Sequence, residues 1–266
     1  MTQPQVPFDD RGLAYGDGVF ETVLLREGKP VLWSYHLARL RRGCQRLGIP
    51  VPCQEALDAT WQGIAETPLE VLKLIVTRGS GGRGYALPES PMPRLLSRRT
   101  PFVPATARWQ KGVTVRLCRL RLGHQPALAG IKHLNRLENV LARGEWQSAD
   151  IAEGLLADMH GELVEATSMN VFWQRQGRIY TPRLDKCGVA GTLRDALIEQ
   201  GIVREATLPV AALPTLERLW VANSVQGVWP VITLVCHTGT QKQTWPLEPV
   251  DDFQVAAHRL LGYAAQ

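Results

Sequence analysis

No two of the five cysteines form a C-x-x-C. Cys44, Cys53, Cys118, Cys187 and Cys236 are scattered through 266 residues, and their number is odd. That pattern offers neither a disulfide framework nor a zinc site, and it fits free thiols in a reducing compartment. The six histidines fall at no metal-binding spacing, and neither His-Glu-x-x-His nor Gly-x-Ser-x-Gly occurs. A membrane-spanning run is missing as well: the longest apolar stretch, 219–236, is interrupted by Asn223, Ser224, Gln226 and Pro230. The first five residues have no basic or apolar signal region, so the expected location is cytoplasmic. Repeats and low-complexity segments are absent. Charge is nearly balanced, with 30 Lys and Arg against 25 Asp and Glu, so anionic ligands are favoured only modestly. A nucleic-acid-binding or catalytically silent protein is a distant alternative, because neither an aromatic RNA-binding strip nor a helix-turn-helix pattern is present.

What remains is the composition of a globular protein, 45% hydrophobic and 21% charged, long enough for one large or two ordinary domains. Strands are expected over 19–25, 70–77, 94–100, 113–117, 154–158, 163–167, 171–174, 179–181, 218–222 and 228–236, with a hairpin turn at Glu27-Gly28-Lys29 and a return strand over 30–33. Helices are expected from an N-cap at Ser34 to Gly48, over 54–66, over 134–146, over 193–200 and over 250–261. The proline-containing, aperiodic stretch near residue 105 reads as a linker. The expectation is an α+β fold with mostly antiparallel connections: a small domain over 1–104, a linker over 105–112 and a large domain over 113–266.

Arg78-Gly-Ser-Gly-Gly-Arg-Gly84 contains the spacing G-x-G-x-x-G after a strand, but Pro88, Pro91 and Pro93 follow where a dinucleotide site needs a helix. A glycine loop carrying Arg78 and Arg83 remains, either a carboxylate clamp or a hairpin tip. Asp17 and Glu21 read as a turn aspartate and a strand-face glutamate rather than an acid–base pair. A lone lysine is ordinarily a solvated charge. Lys132 differs, because an apolar segment, 127–131, precedes it, leucines at helical spacing follow, and His133 and Arg136 stand beside it. A lysine that attacks a carbonyl must be neutral, which a desolvated or cationic neighbourhood promotes. We therefore read Lys132 as carrying pyridoxal phosphate in a Schiff base. Glu165, followed by Thr167, Ser168 and Asn170, reads as part of a polar strip, and its carboxylate suits the pyridine nitrogen of that ring. Gly191-Thr192 ahead of a helix offers backbone N–H groups to a phosphate, as does Asn223-Ser224 at a strand end.

With these residues in place, the chain resembles the class IV pyridoxal-phosphate enzymes, which include branched-chain aminotransferases, D-amino acid aminotransferases and aminodeoxychorismate lyases. Glu165-Ala-Thr-Ser-Met-Asn-Val-Phe172 is similar to the family string E-x-[S/T]-x-x-N-aliphatic-[F/Y], and Ile179-Tyr-Thr181 and Gly191-Thr-Leu-Arg194 follow at the family's spacing. Thr192 departs from it, standing where the family has an aliphatic residue. Three strings resemble the lyase branch: Arg78-Gly-Ser-Gly-Gly-Arg-Gly-Tyr85, Leu128-Ala-Gly-Ile-Lys-His-Leu-Asn-Arg-Leu-Glu138 and Tyr180-Thr-Pro-Arg-Leu-Asp185. The resemblance runs from about Asp10 to the C-terminal strands. It implies fold type IV, with a small N-terminal α/β domain, a larger C-terminal domain with a barrel-like sheet, and a homodimer. It implies conversion of 4-amino-4-deoxychorismate to 4-aminobenzoate and pyruvate, with D-amino acid transamination as the alternative. It also implies site roles: Lys132 and Thr22 as catalytic groups, Arg39 on the phosphate, Asn170, Gly191, Thr192, Asn223 and Ser224 around the cofactor, and Phe20, Thr22, Arg78 and Arg83 toward the substrate.

Overall fold

In the computed structural model, which describes residues 6–236 and 242–264, the first five residues lie outside the described part. The chain divides into two units. One runs to Val103 and takes in Ile131–Arg136; the other comprises Pro104–Gly130 and the residues from Leu137 onward.

The first unit contains α1 (Arg11–Tyr15), β1 (Gly18–Arg26), β2 (Lys29–Pro30), α2 (Trp33–Leu47), α3 (Gln54–Ala59), β3 (Leu69–Thr77) and β4 (Arg94–Pro101). Its antiparallel sheet has the order β2-β1-β3-β4. Glu27 and Gly28 both take positive φ, 48° and 73°, the backbone of a two-residue type I′ hairpin. Along β1, Val19, Glu21, Val23 and Leu25 are buried on one face, while Phe20 and Thr22 are half-buried on the other. The helix α2 covers the first face, where Leu37, Leu40 and Cys44 pack against Val19 and Val76. Residues 131–134 add an extended segment to β1: the Phe20 N–H donates to the Lys132 carbonyl at 2.9 Å, and the Leu134 N–H to that of Gly18 at 3.0 Å.

Four expectations change here. The helix expected over 54–66 is only α3, which ends at Ala59. The return strand is only Lys29–Pro30, because Leu32 turns into the left-handed region (φ 54°) and takes the N-cap position expected of Ser34. The helix expected over 134–146 is α5 (Leu137–Arg143), since the pairing with β1 holds the residues up to Leu134 extended. The stretch read as a linker includes α4 (Thr106–Lys111), too short to show a period, with Trp109 buried and its indole N–H donating to the Gln226 carbonyl at 2.7 Å.

The second unit adds β5 (Val113–Leu122), β6 (Ile151–Asp158), β7 (Leu163–Ala166), β8 (Asn170–Arg175), β9 (Arg178–Pro182), α6 (Thr192–Glu199), β10 (Val203–Ala206), β11 (Arg218–Asn223), β12 (Gly227–Val235), β13 (Lys242–Thr244) and α7 (Asp252–Leu260). The sheet runs β10-β9-β8-β11-β12-β5-β6-β7, with β13 on β12. Pairing is antiparallel except at β9–β10, β12–β5 and β5–β6. Phe172 and Trp220 are fully buried and pack on Phe253 of α7.

The connectivity forces this sheet to curl. Residues 167–169 alone join β7 to β8, and a link of that length reaches at most roughly 14 Å. The five strand steps separating β7 from β8 would span roughly 24 Å in a flat sheet. Only a barrel-like curl lets so short a turn connect them, as the family resemblance implies.

Buried Glu153 on β6 pins that turn, accepting from the Thr167 hydroxyl at 2.5 Å, from the Ser168 hydroxyl, and from the Gly154 N–H at 3.1 Å. Glu153→Ala removes the partner of the half-buried Thr167 hydroxyl and of the buried Gly154 N–H, and is expected to cost about 1–3 kcal/mol. Urea denaturation of parent and variant checks this; a loss below roughly 0.5 kcal/mol, the range of ordinary surface changes, would mean that the turn holds without Glu153.

Candidate active site

On the first unit, the pairing of residues 131–134 with β1 sets the position of Lys132. Its ammonium lies 4.5 Å from the centroid of the Phe20 ring, on the sheet face that carries Thr22. On the opposite face, Glu21 is buried under α2. Arg39 grips its carboxylate with a fork, Nε to Oε1 at 2.8 Å and Nη2 to Oε2 at 2.5 Å, and His36 Nδ1 lies 2.6 Å from Oε2. Burial alone would raise the Glu21 carboxyl; the charge and hydrogen bonds of Arg39, with the bond from His36, outweigh it and hold the carboxyl at about 2. Burial lowers His36 despite the pull of Glu21. Glu21 is therefore more than a strand-face charge: it is the buried anchor of Arg39.

The glycine loop is also anchored from within. Buried Arg11 donates to the carbonyls of Gly81, Gly84 and Ala86 at 3.3, 3.1 and 3.1 Å, and its Nε bonds Asp17 at 2.9 Å. Asp17 also takes Nε and Nη2 of Arg78 at 2.7 and 3.0 Å, while Arg78 donates further to the carbonyls of Gly48 and Leu47 at 2.8 and 2.6 Å. Burial works to raise the Asp17 carboxyl, and the two guanidinium groups bring it below its ordinary value. Expected as a substrate clamp, Arg78 is instead occupied by the fold and is only 3% exposed. Arg83 stands exposed on the same loop.

On the second unit, Glu165 ends in a buried carboxylate just before the closing turn. Asn139 Nδ2 donates to Oε1 at 3.2 Å and to the Thr167 carbonyl at 3.1 Å, and the Val189 N–H donates to Oε2 at 2.8 Å. Asn170, just after the turn, donates to the Val189 carbonyl at 2.9 Å. Gly191 is the N-cap of α6 with no side-chain cap bond, and a Cβ there would collide with the Asn170 amide. Thr192 opens the helix, buried. Asn223 accepts from the N–H groups of Val225 and Gln226 at 2.9 and 2.7 Å and donates to the Ser168 carbonyl at 3.3 Å; Ser224 beside it is buried.

Sequence reasoning passed over four of these anchors: Arg11, Glu21 as partner of Arg39, Asn139 and Glu153. Asn139 directly follows the string around Lys132 that ends at Glu138, yet its partner lies 26 positions on. Among the described residues no group of three metal-binding side chains occurs. The buried thiols are not activated: burial pushes Cys44 up to about 11 and Cys118 and Cys187 up to about 12.

Residues 18–234 match the model of the aminotransferase class IV family. A solved 4-amino-4-deoxychorismate lyase from Pseudomonas aeruginosa is 40% identical, with a TM-score of 0.84, over 98% of this chain and 94% of that one. An aminodeoxychorismate lyase of Vibrio harveyi is 33% identical over 87% of this chain and 88% of its own length. A putative branched-chain-amino-acid aminotransferase of Methanocaldococcus jannaschii is 30% identical over 88% and 84%.

Two buried histidines give the protein an acid limit. Burial, with the charge of Arg136, lowers His133 to about 4; burial lowers His258 to about 4 against the pull of Asp251. Their ordinary value is 6.5. Between those values the unfolded chain holds more protons than the folded one, so stability falls as pH drops from 6.5 to about 4. Glu21 extends the loss below its ordinary 4.5, toward about 2. The thermal midpoint is expected to fall through the first window, less steeply in His258→Gln; a flat profile there would show that these imidazoles do not stay neutral.

Proposed function

Because the chain belongs to the class IV aminotransferase family, we propose that it is a pyridoxal-phosphate-dependent lyase that converts 4-amino-4-deoxychorismate to 4-aminobenzoate and pyruvate, a step toward folate. The observation that carries the cofactor assignment is the buried Glu165 carboxylate, held by the Asn139 amide and the Val189 N–H in the unit that also carries the Gly191-capped start of α6. A carboxylate suits a protonated pyridine nitrogen. The first-turn N–H groups of a helix suit a phosphate. The three strings shared with the lyase branch, and the two relatives named as lyases, support the choice of reaction.

When bound, pyridoxal phosphate supplies an electron sink. Lys132 would hold its aldehyde carbon and would accept the proton from the substrate carbon that bears the amine. Glu165 would keep the ring nitrogen protonated. Arg39, oriented by Glu21, and the N–H groups following Gly191 would bind the phosphate, and Asn170, Thr192, Asn223 and Ser224 would shape its surroundings. Phe20 and Thr22 face the substrate, and Thr22 or Lys132 delivers a proton to the departing ether oxygen. Arg83 is the loop arginine left for a substrate carboxylate, since Arg78 is filled. On α5, Leu137, Val140 and Leu141 are 74%, 62% and 65% exposed at helical spacing, a stripe that a second copy of the chain would cover in a homodimer. The free thiols suit the cytoplasm.

Lys132→Ala is expected to lose the visible cofactor band and 4-aminobenzoate formation; borohydride-reducible cofactor in that variant would move the attachment elsewhere. Glu165→Gln should bind cofactor and turn over more than tenfold slower, above roughly 1.4 kcal/mol in barrier. A rate within about threefold of the parent, roughly 0.7 kcal/mol, would remove Glu165 from the ring nitrogen. If the parent releases no 4-aminobenzoate but exchanges amino groups between D-alanine and a keto acid, the aminotransferase reading replaces the lyase one.

A further inference from the structure

The sheet of the first unit carries two cations that the fold does not use. In the register of β1, β3 and β4, Thr22 is opposite Lys73 and Lys73 is opposite Arg98, so the three form one row across the sheet. That row lies on the face of Phe20 and Lys132. The Lys73 ammonium approaches the Phe20 ring to 5.2 Å, the same ring that Lys132 approaches to 4.5 Å. Like charges directly opposite on neighbouring strands destabilise a sheet. Elsewhere in this unit the cost is met by acids: Arg94 pairs with Asp10, Arg99 with Glu70, Arg78 with Asp17 and Arg39 with Glu21. Lys73 and Arg98 have no carboxylate partner among the described residues, and both are exposed. An arginine on an edge strand such as β4 can serve simply to discourage pairing with other chains. Lys73 has no such role, because β3 lies between β1 and β4 and Lys73 sits at its middle.

We propose that Lys73 and Arg98 form a carboxylate subsite that holds the ring carboxylate of a dianionic substrate while its amine-bearing carbon is presented to Lys132. This rests on the lyase reading and extends it to substrate selection. In aminodeoxychorismate one carboxylate lies across the six-membered ring from the amine, and the other belongs to the departing enolpyruvyl group. A subsite on the Phe20 face beside Lys132 suits the first and leaves Arg83 for the second. Amino acids with one carboxylate have nothing to place there.

The test uses cofactor-loaded parent, Lys73→Gln, Arg98→Gln and the double variant. Chorismate, which has the same two carboxylates but a hydroxyl in place of the amine, is titrated calorimetrically. Loss of one charge-assisted bond is expected to weaken its binding about 10- to 100-fold in the Lys73 variant, and further in the double variant. KM for aminodeoxychorismate should rise with kcat largely kept. The cofactor band and its response to D-alanine should stay unchanged. Chorismate binding equally well to the double variant and the parent would overturn the subsite, as would a parent that does not bind it. Equal weakening toward chorismate and D-alanine would also overturn it, assigning the cations to the sheet. If chorismate binding falls as expected while the parent makes no 4-aminobenzoate, the subsite stands and the lyase reading fails.

Discussion

The short turn at residues 167–169 is the constraint on which the second unit depends. It demands that a sheet of nine strands bend back until β7 meets β8, and it places Glu165 two residues before the turn and Asn170 immediately after it. The polar density there follows from that demand. A tight reversal between two buried strands leaves backbone and hydroxyl groups without strand partners. Glu153, Asn139 and Asn223 supply those partners through Thr167, Ser168 and their carbonyls. Asn139 does so while also bonding Glu165, so the atom that steadies the turn steadies the proposed cofactor carboxylate too.

The first unit solves a different problem, how to keep charge inside a small sheet. Its buried carboxylates each meet a guanidinium, and these pairs join separate segments: Asp10 to Arg94, Glu21 to Arg39, Glu70 to Arg99, with half-buried Asp17 held by Arg78 in the same way. Breaking one member of such a pair leaves the other buried and uncompensated, which costs more than the pair's net worth. This explains why the glycine loop is shaped by an arginine rather than by its glycines alone. The positive φ of Gly79, Gly81, Gly82 and Gly84 permits the path, and Arg11, collecting the carbonyls the path turns inward, selects it.

Much of this was legible in the sequence, and the boundary has a physical basis. Strands with alternating or β-branched residues, such as β1 and β3, announced themselves, as did the hairpin at Glu27-Gly28. Lys132 and Glu165 could be singled out because strings around them match a family in which function constrains neighbouring residues together. Long-range partners left no such trace. Nothing local to Arg78 tells that Asp17, 61 positions away, fills its fork, so a loop arginine read as a substrate clamp belongs to the fold. The same blindness hid Lys73 and Arg98, whose meaning depends on a register that sets them side by side. The leucines of α5 keep the helical spacing read from the sequence, and that spacing marks a face that stays exposed in the single chain.

Alternation across a strand explains how so few residues carry such different chemistry. On β1, Phe20 and Thr22 point to one face and Glu21, between them, to the other, so an apolar wall and a buried anion are separated by one peptide unit. The paired segment repeats the device: Ile131 and His133 are buried while Lys132 lies over Phe20. A slip of one residue in the pairing between these two segments would bury the amine and turn the imidazole outward. The two backbone bonds that set this register, Phe20 to Lys132 and Leu134 to Gly18, are thus as much a part of the proposed catalytic apparatus as the lysine. They also account for the late start of α5: residues 131–134 are held extended along β1, and the helix begins only beyond them.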